Sequence, residues 1–358
     1  MKYIWKVLAL ALLVAVLLVA GAMAEQEAGT RTVVDMKGKT VVLPETIDSY
    51  SVLYSSAVPI CAMMDEDLQH MVMYPVSNYF EYWYTLMFEG INDHALQVDK
   101  KNVTAEQILE SGAQVVFWNR ASHEDLIATL ESAGVACVNV QIKNSEDLLH
   151  AVRVVADTFG TEFAETHATR YSEKYAEYLE MATTHAAKIP EEEKKTVLVI
   201  GSVDSPSVGA VDSYQGYWTD LTGLKYVTPV QQGEPEATLT IEEIYELDPD
   251  IIIAQGPFNR EAVTSDTQWK EVRAVKENML FSNPSVLDEW GMRTNEAPLQ
   301  FIWVLKQFYS DYSEDIDATG ELISFYKDFY DYDMSEEDAE AILSCHHFYL
   351  HPALQEME

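Results

Sequence analysis

The stretch TIEEIYELDPDIIIAQ (residues 240–255) repeats a pattern already present upstream in TAEQILESGAQVVFWNR (residues 104–120). In each copy a threonine precedes a short run with helical spacing, and a continuous apolar segment follows. This pattern predicts a helix that leads into a buried strand. Corresponding residues lie 136 positions apart throughout: Thr104 and Thr240, Glu106 and Glu242, Ile108 and Ile244, Glu110 and Glu246, and Val115-Val116 and Ile251-Ile252. The repeat therefore predicts two similar lobes related by two-fold pseudosymmetry.

Strands and helices alternate on both sides of the middle of the chain, which is typical of parallel βαβ units. A hairpin is predicted over residues 31–45. Beyond the hairpin we predict strands at 50–58, 114–118, 135–140, 196–201 and 250–255, a short strand near 279–282, and helices at 104–111, 122–134 and 240–247. The alternation predicts an N-terminal α/β lobe over residues 25–144 and a C-terminal α/β lobe over residues 196–295.

The segment between the lobes, residues 145–195, is predicted to contain the connecting helices. Its main part, residues 161–189, contains neither glycine nor proline, whereas Thr161 can cap the start and Pro190 ends the run. We expect one rigid helix about 40 Å long that bridges both lobes and allows only modest closure between them. Residues 296–358 are expected to form further helices and a tail.

The first 24 residues have the features of a secretory signal peptide. Lys2 and Lys6 precede an apolar run over residues 7–22, and a small-x-small cleavage pattern ends at Ala24. We therefore expect an exported, periplasmic protein whose mature chain begins near Glu25. No cysteine stands directly after the apolar run, so the acylated cysteine of a lipoprotein is not expected, and no second apolar stretch of that length predicts a membrane span.

The chain carries 59 acidic and 23 basic residues, which gives a formal net charge of −36. A surface this acidic repels nucleic acids and anionic lipids, so neither is expected as a partner. Acidic surroundings also make any arginine in a concave site informative, since it would be a rare positive charge. The charge therefore directs attention to the arginines.

Positions just beyond the carboxyl ends of parallel strands are where α/β lobes hold ligands. Arginines follow predicted strands at three such positions, and aromatic residues lie nearby. Arginine offers a two-pronged fork to carboxylates and other oxyanions, whereas tyrosine and tryptophan supply flat apolar faces. The predicted ligand-binding residues are Ser55, Asn119, Arg120, Tyr214, Trp218, Arg260, Trp290 and Arg293.

Two arrangements of the arginines are compatible with the sequence. In the first, Arg120 of the N-terminal lobe faces Arg260 and Arg293 of the C-terminal lobe across an anion. Tyr214, Trp218 and Trp290 form the apolar walls of that cleft. In the second, ordinary surface salt bridges pair Arg260 with Glu261 or Asp266, and Arg293 with Glu296.

Enzyme signatures are missing from the chain: it has no HExxH, GxSxG, P-loop or GxGxxG motif, and we expect no catalytic activity. Three histidines near the C-terminus could hold Zn, Ni or Cu, namely His346, His347 and His351. The spacing of the three cysteines leaves their pairing open: Cys61, Cys137 and Cys345.

Four stretches of the chain resemble one protein family in order and spacing. They are TVVDMKGKTVVLPE (32–45), LDPDIIIA (247–254), WKEVRAVKENMLFSNPS (269–285) and YKDFYDYDMSEEDAEAIL (326–343). Together they resemble the cobalamin and iron-siderophore substrate-binding proteins of ABC importers. The resemblance covers essentially the mature chain and implies two lobes joined by a rigid helix, with no enzymatic role.

The resemblance also implies a partner, because one glutamate on each lobe of these proteins docks onto arginines of the permease dimer. The matching positions are Glu106 and Glu242, which lie in the repeated pattern. The alternative is that both are helix N-terminal acids stabilised by the helix dipole. Gly112-Ala113-Gln114 departs from the family, which usually has a Pro-Asp pair at this point.

For the ligand, the resemblance implies an iron chelate, haem, a corrinoid, or molybdate or tungstate. Arginines together with aromatic residues favour an anionic metal chelate, and we expect an iron-siderophore-type complex. No intrinsic cofactor is expected, and the protein should act as a monomer. The alternative of another class is a secreted metal-dependent enzyme or metal-storage protein that uses the C-terminal histidines.

Overall fold

The computed structural model describes residues 29–66, 68–75, 80–99, 101–256 and 258–344. Several sequence predictions lie outside these residues: the signal peptide over 1–24, and the roles of Cys345, His346, His347 and His351. Cys61 and Cys137 are both buried free thiols. Across the described ranges, we find no helix with the length and apolar character that crossing a membrane demands.

An antiparallel hairpin opens the described chain, as the sequence predicts. Its strands are β1 (Thr30–Val34) and β2 (Thr40–Pro44). The connecting turn is held by Asp35, whose Oδ1 accepts from the backbone N–H groups of Lys37 and Lys39, both at 2.9 Å. A carboxylate that ties two turn amides in this way fixes the register of a short hairpin.

The N-terminal lobe is built on a parallel five-stranded sheet in the order β5-β4-β3-β6-β7. These strands are β3 (Tyr50–Val52), β4 (Met71–Tyr74), β5 (Leu96–Gln97), β6 (Val115–Trp118) and β7 (Ala136–Asn139). β6 and β7 match predicted strands and are buried along their whole length.

The strand predicted over 50–58 is too long, because it stops at Val52. A 3-10 turn over Ser55–Ala57 follows, and α1 (Val58–Met64) then continues the chain. Pro59 lies in the first turn of α1, where the missing amide proton costs nothing because that N–H would have no helical partner. Proline therefore converts an apolar run that resembles a strand into a helix.

The C-terminal lobe is built on a parallel four-stranded sheet in the order β10-β8-β12-β13. These strands are β8 (Thr196–Ile200), β10 (Lys225–Tyr226), β12 (Ile251–Ala254) and β13 (Leu280–Ser282). A small antiparallel ribbon, β9 (Ser207–Val208) with β11 (Ala237–Thr238), lies beside it.

Helices flank both sheets. In the first half they are α2 (Glu81–Met87), α3 (Ile91–His94), α4 (Ala105–Glu110) and α5 (Glu124–Ser132). In the second half they are α8 (Tyr214–Leu221), α9 (Ile241–Leu247), α10 (Arg260–Ser265) and α11 (Arg273–Lys276). The predicted helix-to-strand unit is therefore present twice, as α4 with β6 and as α9 with β12.

Two helices connect the lobes: α6 (Ser145–Phe159) and the bridging helix α7 (Glu162–Ala186). Thr161 caps the bridging helix by accepting from the N–H of Ala164 at 3.1 Å. The bridging helix runs for 25 residues and packs against α1 and α6 of the first half and α8 of the second. The predicted fold class, two α/β lobes joined by one long helix, is confirmed.

The C-terminal helices α12 (Ala297–Phe308), α13 (Ala318–Tyr330) and α14 (Glu336–Ser344) pack back onto this frame. One continuous apolar core joins the inner faces of both sheets, the bridging helix and the C-terminal helices. Smaller clusters cover the outer face of each sheet. The residue limits that the sequence suggests for the two lobes stay a prediction.

Candidate ligand site between the lobes

The strand ends of both sheets supply the residues of the candidate site. In the N-terminal lobe, Tyr54 follows β3, and Asn119 and Arg120 follow β6. In the C-terminal lobe, β13 leads into a loop over residues 283–296 that carries Arg293. Because parallel strands end at the same edge of their sheet, each lobe gathers its residues on one side.

Five of the seven arginines are committed to the fold by hydrogen bonds or ion pairs. Their partners are backbone carbonyls for Arg31, Asp157 and Glu165 for Arg153, Asp328 for Arg170, Asn278 and the Leu280 carbonyl for Arg260, and Asp248 and Asp250 for Arg273. Within the described ranges, the side chains of Arg120 and Arg293 have no such partner. They are the two members of the predicted cation set that remain available to an anion.

Tyr54 links these two arginines in space. Burial raises the pKa of the Tyr54 hydroxyl and a hydrogen bond with Ser56 lowers it in part; the charge of Asp288 raises it further, whereas the charges of Arg293 and Arg120 lower it. Both guanidinium groups therefore lie near this half-buried hydroxyl, although they come from different lobes. Arg120 and Arg293 both lie near Tyr54, which the predicted site lacks, and their role in ligand binding stays a prediction.

Tyr214 extends the cluster into the C-terminal lobe. It is the first residue of α8 and is 5% exposed, and Arg293 lowers a pKa that burial raises strongly. Its hydroxyl makes no hydrogen bond. Arg293 lines a cavity of about 320 Å³ together with Gln215 and Gln255, and with the acidic residues Asp212, Glu234 and Glu236. The surroundings of Arg293 therefore combine this cation with amide and carboxylate side chains.

A buried carboxylate holds the loop that carries Arg293. Glu296 is fully buried and accepts from the backbone N–H groups of Leu287 at 3.0 Å and Asp288 at 2.7 Å. The hydroxyl of Tyr326 donates to the same carboxylate. Burial raises the pKa of Glu296 to about 8, although these hydrogen bonds lower it in part. The alternative salt bridge between Arg293 and Glu296 is therefore wrong.

Arg260 does not join the cluster, which corrects the prediction that it faces Arg120. Its guanidinium donates to Asn278 Oδ1 at 2.7 Å and to the backbone carbonyl of Leu280. Both acceptors lie at the amino end of β13, whereas the ligand side of the sheet is the carboxyl end. Arg260 is therefore a structural residue.

The two predicted tryptophan walls are also wrong, because both rings lie in the core. Trp218 and Trp290 are each 0% exposed. Trp218 Nε1 donates to the carbonyl of Gly291 at 3.2 Å, so the ring packs beneath the loop that carries Arg293. They support the site from below and offer no surface to a ligand.

The remaining predicted residues lie at the edge of the cluster. Ser55 begins the 3-10 turn directly after Tyr54 and is half-exposed. Asn119 is half-buried, and its Oδ1 is enclosed without a hydrogen-bond partner. An enclosed amide oxygen without a partner is uncommon in a folded protein and is compatible with ligand contact.

The repeat-equivalent glutamates lie on the first turns of α4 and α9. Glu106 and Glu242 are exposed, and neither forms an ion pair with another described residue. Both helices begin with a capping box: Thr104 with Gln107, and Thr240 with Glu243. The capping boxes fix the backbone of each short helix, so the two carboxylates project from equivalent, well-defined positions.

Two lobes with converging strand ends and a bridging helix define a solute-binding protein. The chain belongs to the periplasmic binding protein family, whose sequence model matches residues 94–287, more than half of the chain. Such proteins are not enzymes, and they work with the permeases of ABC transporters. The predicted family resemblance and the absence of an enzymatic role are confirmed.

Individual relatives agree with this assignment. The chain is 20% identical over 329 residues to the molybdate-binding protein MolA of Haemophilus influenzae, covering 84% of this chain and 91% of MolA. The crystal structure of MolA bound to molybdate superposes with a TM-score of 0.74 at 16% identity, over 85% of this chain and 99% of MolA. A periplasmic solute-binding protein of Veillonella parvula gives 0.73 at 20% identity, over 88% and 97%.

A third structure, Helicobacter pylori CeuE with Ni(II) bound, has a TM-score of 0.68 at 13% identity, over 86% of this chain and 98% of CeuE. At these identities the superpositions show a shared fold. They do not carry a ligand from one protein to another, since function depends on the site residues.

Proposed function

We propose that the protein binds a small oxyanion of the molybdate type between Arg120 and Arg293 and delivers it to an ABC import permease. One observation carries the proposal. Arg120 and Arg293 come from opposite lobes, act on the same tyrosine hydroxyl, and are the two arginines without partners among the described residues. Two guanidinium groups near one hydroxyl repel each other unless a negative charge, from a ligand or from a carboxylate such as Asp288, lies close to them.

The chemistry of arginine favours an oxyanion as the ligand. Each guanidinium can donate two parallel hydrogen bonds to a pair of oxygen atoms, and these charge-assisted bonds are stronger than neutral ones. In a protein with a net charge of −36, most arginines would be expected to pair with carboxylates. Arg120 and Arg293, half-exposed and without a partner among the described residues, are therefore available to an anionic ligand.

Two further considerations support molybdate over the iron-siderophore-type chelate that the sequence favours. The relative MolA binds molybdate, and the match covers most of both chains. The chelate prediction rested on arginines together with aromatic residues, and two of the three predicted aromatic walls, Trp218 and Trp290, are buried in the core. A small oxyanion does not require such walls.

For the partner, we propose that Glu106 and Glu242 dock onto basic residues of the permease dimer. Their repeat-equivalent positions, exposure and capped helices support this role. A pair of matching carboxylates on pseudosymmetric lobes suits a partner with two-fold symmetry.

Isothermal titration of the purified protein tests the ligand assignment. Molybdate and tungstate should each bind with a stoichiometry of one, whereas ferric siderophores, haem and cobalamin should give no binding heat. Sulfate serves as a tetrahedral control of smaller size. If the protein binds a ferric siderophore and neither molybdate nor tungstate, the oxyanion proposal is wrong and the ligand is a metal chelate.

A further inference from the structure

The two helices of the repeat, α4 and α9, share one pattern of exposure. From the capping threonine onward, residues 104–110 and 240–246 are exposed, half-buried, exposed, exposed, buried, exposed and exposed, in the same order. The buried position is Ile108 in α4 and Ile244 in α9, and each of these side chains packs into the apolar cluster of its own lobe. The two helices therefore present equivalent outer faces to solvent.

Each outer face carries a large apolar side chain. Leu109 of α4 is 43% exposed and Tyr245 of α9 is 38% exposed, and the 136-residue offset of the repeat relates the two positions. A single exposed apolar residue needs no explanation. Within the described ranges, however, the same offset relates no other exposed large apolar residue to a second one. These other residues are Val34, Val42, Leu86, Leu96 and Val211.

Glutamates flank the apolar residue on each helix. Residues three and four positions apart lie side by side on a helix, so each apolar residue shares a patch with two glutamates. The α4 patch and the α9 patch consist of Glu106, Leu109 and Glu110, and of Glu242, Tyr245 and Glu246, respectively. The four carboxylates form no ion pair or hydrogen bond with another described side chain. Each patch is therefore an apolar centre with an unpaired acidic rim.

Both patches are held in place before any partner arrives. Capping boxes fix the first turn of each helix. In the α9 patch, the hydroxyl of Tyr245 also donates to the backbone carbonyl of Gln268, which restrains the exposed ring. A surface that is ordered in advance loses little conformational entropy when it binds.

We propose that Leu109 and Tyr245 are the apolar centres of the two contacts with the permease dimer. This inference rests on the proposed docking role of Glu106 and Glu242, and it specifies the partner surface further. At each of two symmetry-related positions, the permease should offer an apolar depression bordered by basic residues. An apolar anchor within a polar rim is the arrangement that dominates the binding energy of many protein interfaces.

The acidic rim and the apolar centre should act on different rate constants. Carboxylates attract a basic surface over a distance, so they speed association, and salt screens this effect. An apolar side chain contributes only after contact, when it leaves water. Its removal should therefore speed dissociation and leave association nearly unchanged.

Binding of the purified protein to its cognate ABC permease in lipid nanodiscs tests the inference. Association and dissociation rates are measured without molybdate. Leu109→Gln and Tyr245→Gln should each dissociate about 5- to 30-fold faster, the effect of removing one apolar anchor. Glu106→Gln and Glu242→Gln should instead mainly slow association.

Two further variants separate this role from general effects of the substitution. Leu86→Gln makes the same change on α2, where Leu86 is 39% exposed outside the repeat, and should bind the permease at the parent's rates. Tyr245→Phe keeps the ring and should restore most of the binding that Tyr245→Gln loses. The midpoint of thermal unfolding of Leu109→Gln should equal that of the parent, because the side chain is exposed.

If Leu109→Gln or Tyr245→Gln dissociates as slowly as the parent, the inference is overturned, even where the glutamate variants associate slowly and the docking proposal stands. Faster dissociation of Leu86→Gln by the same factor also overturns it, because position in the repeat would then be irrelevant. Failure of the docking proposal looks different, since the glutamate variants would associate at the parent's rate. If the parent protein does not bind the nanodiscs, both assignments fall together.

Discussion

Arg120 and Arg260 follow equivalent strands of the two lobes, β6 and β12, and they have opposite roles. Arg120 is half-exposed beside Tyr54 and has no partner among the described residues. The guanidinium of Arg260 donates hydrogen bonds to Asn278 Oδ1 and to the backbone carbonyl of Leu280. A position after a strand end therefore predicts where the backbone of an arginine lies, but not which partner its side chain binds.

The reason lies in the edge of the C-terminal sheet. β13 is an edge strand whose inner side pairs with β12: Met279 O accepts from Ile252 N, and Asn283 N donates to Ala254 O. In a parallel ladder the intervening Leu280 carbonyl points away from the partner strand. Arg260 donates a hydrogen bond to this edge carbonyl and is held there. The cation that the C-terminal lobe offers to the site is Arg293.

The largest expected effect concerns the pair of equivalent glutamates. Glu106→Arg and Glu242→Arg should each abolish uptake of the ligand by cells that carry the cognate permease, because a repulsive charge would face its basic residues. Ligand affinity should change less than about twofold, since both residues lie on exposed first turns. Transport of radiolabelled molybdate measures the first quantity and titration the second.

Glu180→Arg is the control for this experiment, since Glu180 is exposed on the bridging helix and has no ion-pair partner among the described residues. It makes the same charge change and should leave uptake intact. Normal uptake by either reversed variant removes that glutamate from the docking surface. If only one lobe proves sensitive, the pseudosymmetry does not extend to docking.

The next effect separates the arginines by affinity. Arg120→Ala and Arg293→Ala should each weaken molybdate binding by roughly 10- to 150-fold, the loss of about 1.5–3 kcal/mol expected for hydrogen bonds to a charged group. Arg260→Ala should leave affinity unchanged, because its guanidinium is bound at β13. Titration of the three variants side by side measures the difference in affinity. Equal losses in all three would contradict the separate roles of Arg260 and the other two arginines.

Stability should show the reverse order. Arg260→Ala should lower the free energy of unfolding by about 1–2 kcal/mol, because the Leu280 carbonyl loses its donor at a partly exposed site. Arg120→Ala should leave it nearly unchanged, since that side chain makes no contact of this kind. Urea unfolding without ligand checks both values. A destabilised Arg120→Ala would mean that Arg120 is also structural.

A smaller effect concerns the loop that presents Arg293. Burial raises the pKa of Glu296 from 4.5 to about 8, so the folded state holds its proton more tightly than the unfolded state does. The contribution of this protonated group to the free energy of unfolding is fully present below pH 4.5. It is lost as the pH rises from 4.5 through about 8. This carboxyl should contribute a slope of up to about 1.4 kcal/mol per pH unit in that window.

Glu296→Gln should remove its share of the slope, which chemical unfolding at several pH values would measure. Burial also raises the pKa of Glu289 to about 8, so Glu289 should still make the stability of the variant fall with pH. A variant with the full slope of the parent protein would mean that Glu296 ionises as it does in the unfolded chain.

Much of the fold follows from local sequence. Thr104, Thr240 and Thr161 cap the helices that their positions predict, and the apolar runs at β6 and β12 form buried strands. The bridging helix needs no tertiary information, since 25 residues without glycine or proline favour a helix by themselves. β5 escapes prediction because two residues carry too little pattern, and β4 escapes it as well although it is as long as β6.

The site is harder to predict because it depends on contacts between distant residues. Arg120 and Arg293 are identifiable from their positions after strands, but the role of Arg260 depends on which strand forms the sheet edge. Trp218 and Trp290 have the composition of a ligand wall, yet the packing of α8 beneath residues 283–296 buries them. Neither outcome is encoded within a short stretch of sequence.

The continuous core has a consequence for how the molecule comes apart. The same apolar cluster contains Val115 of the first sheet, Tyr171 of the bridging helix, Ile253 of the second sheet and Phe301 of α12. Neither lobe can lose its inner face without exposing apolar surface of the other. Unfolding should therefore be a single cooperative transition, with calorimetric and van't Hoff enthalpies that agree, despite a two-lobed outline. A bound anion held at the junction would then protect the whole chain at once.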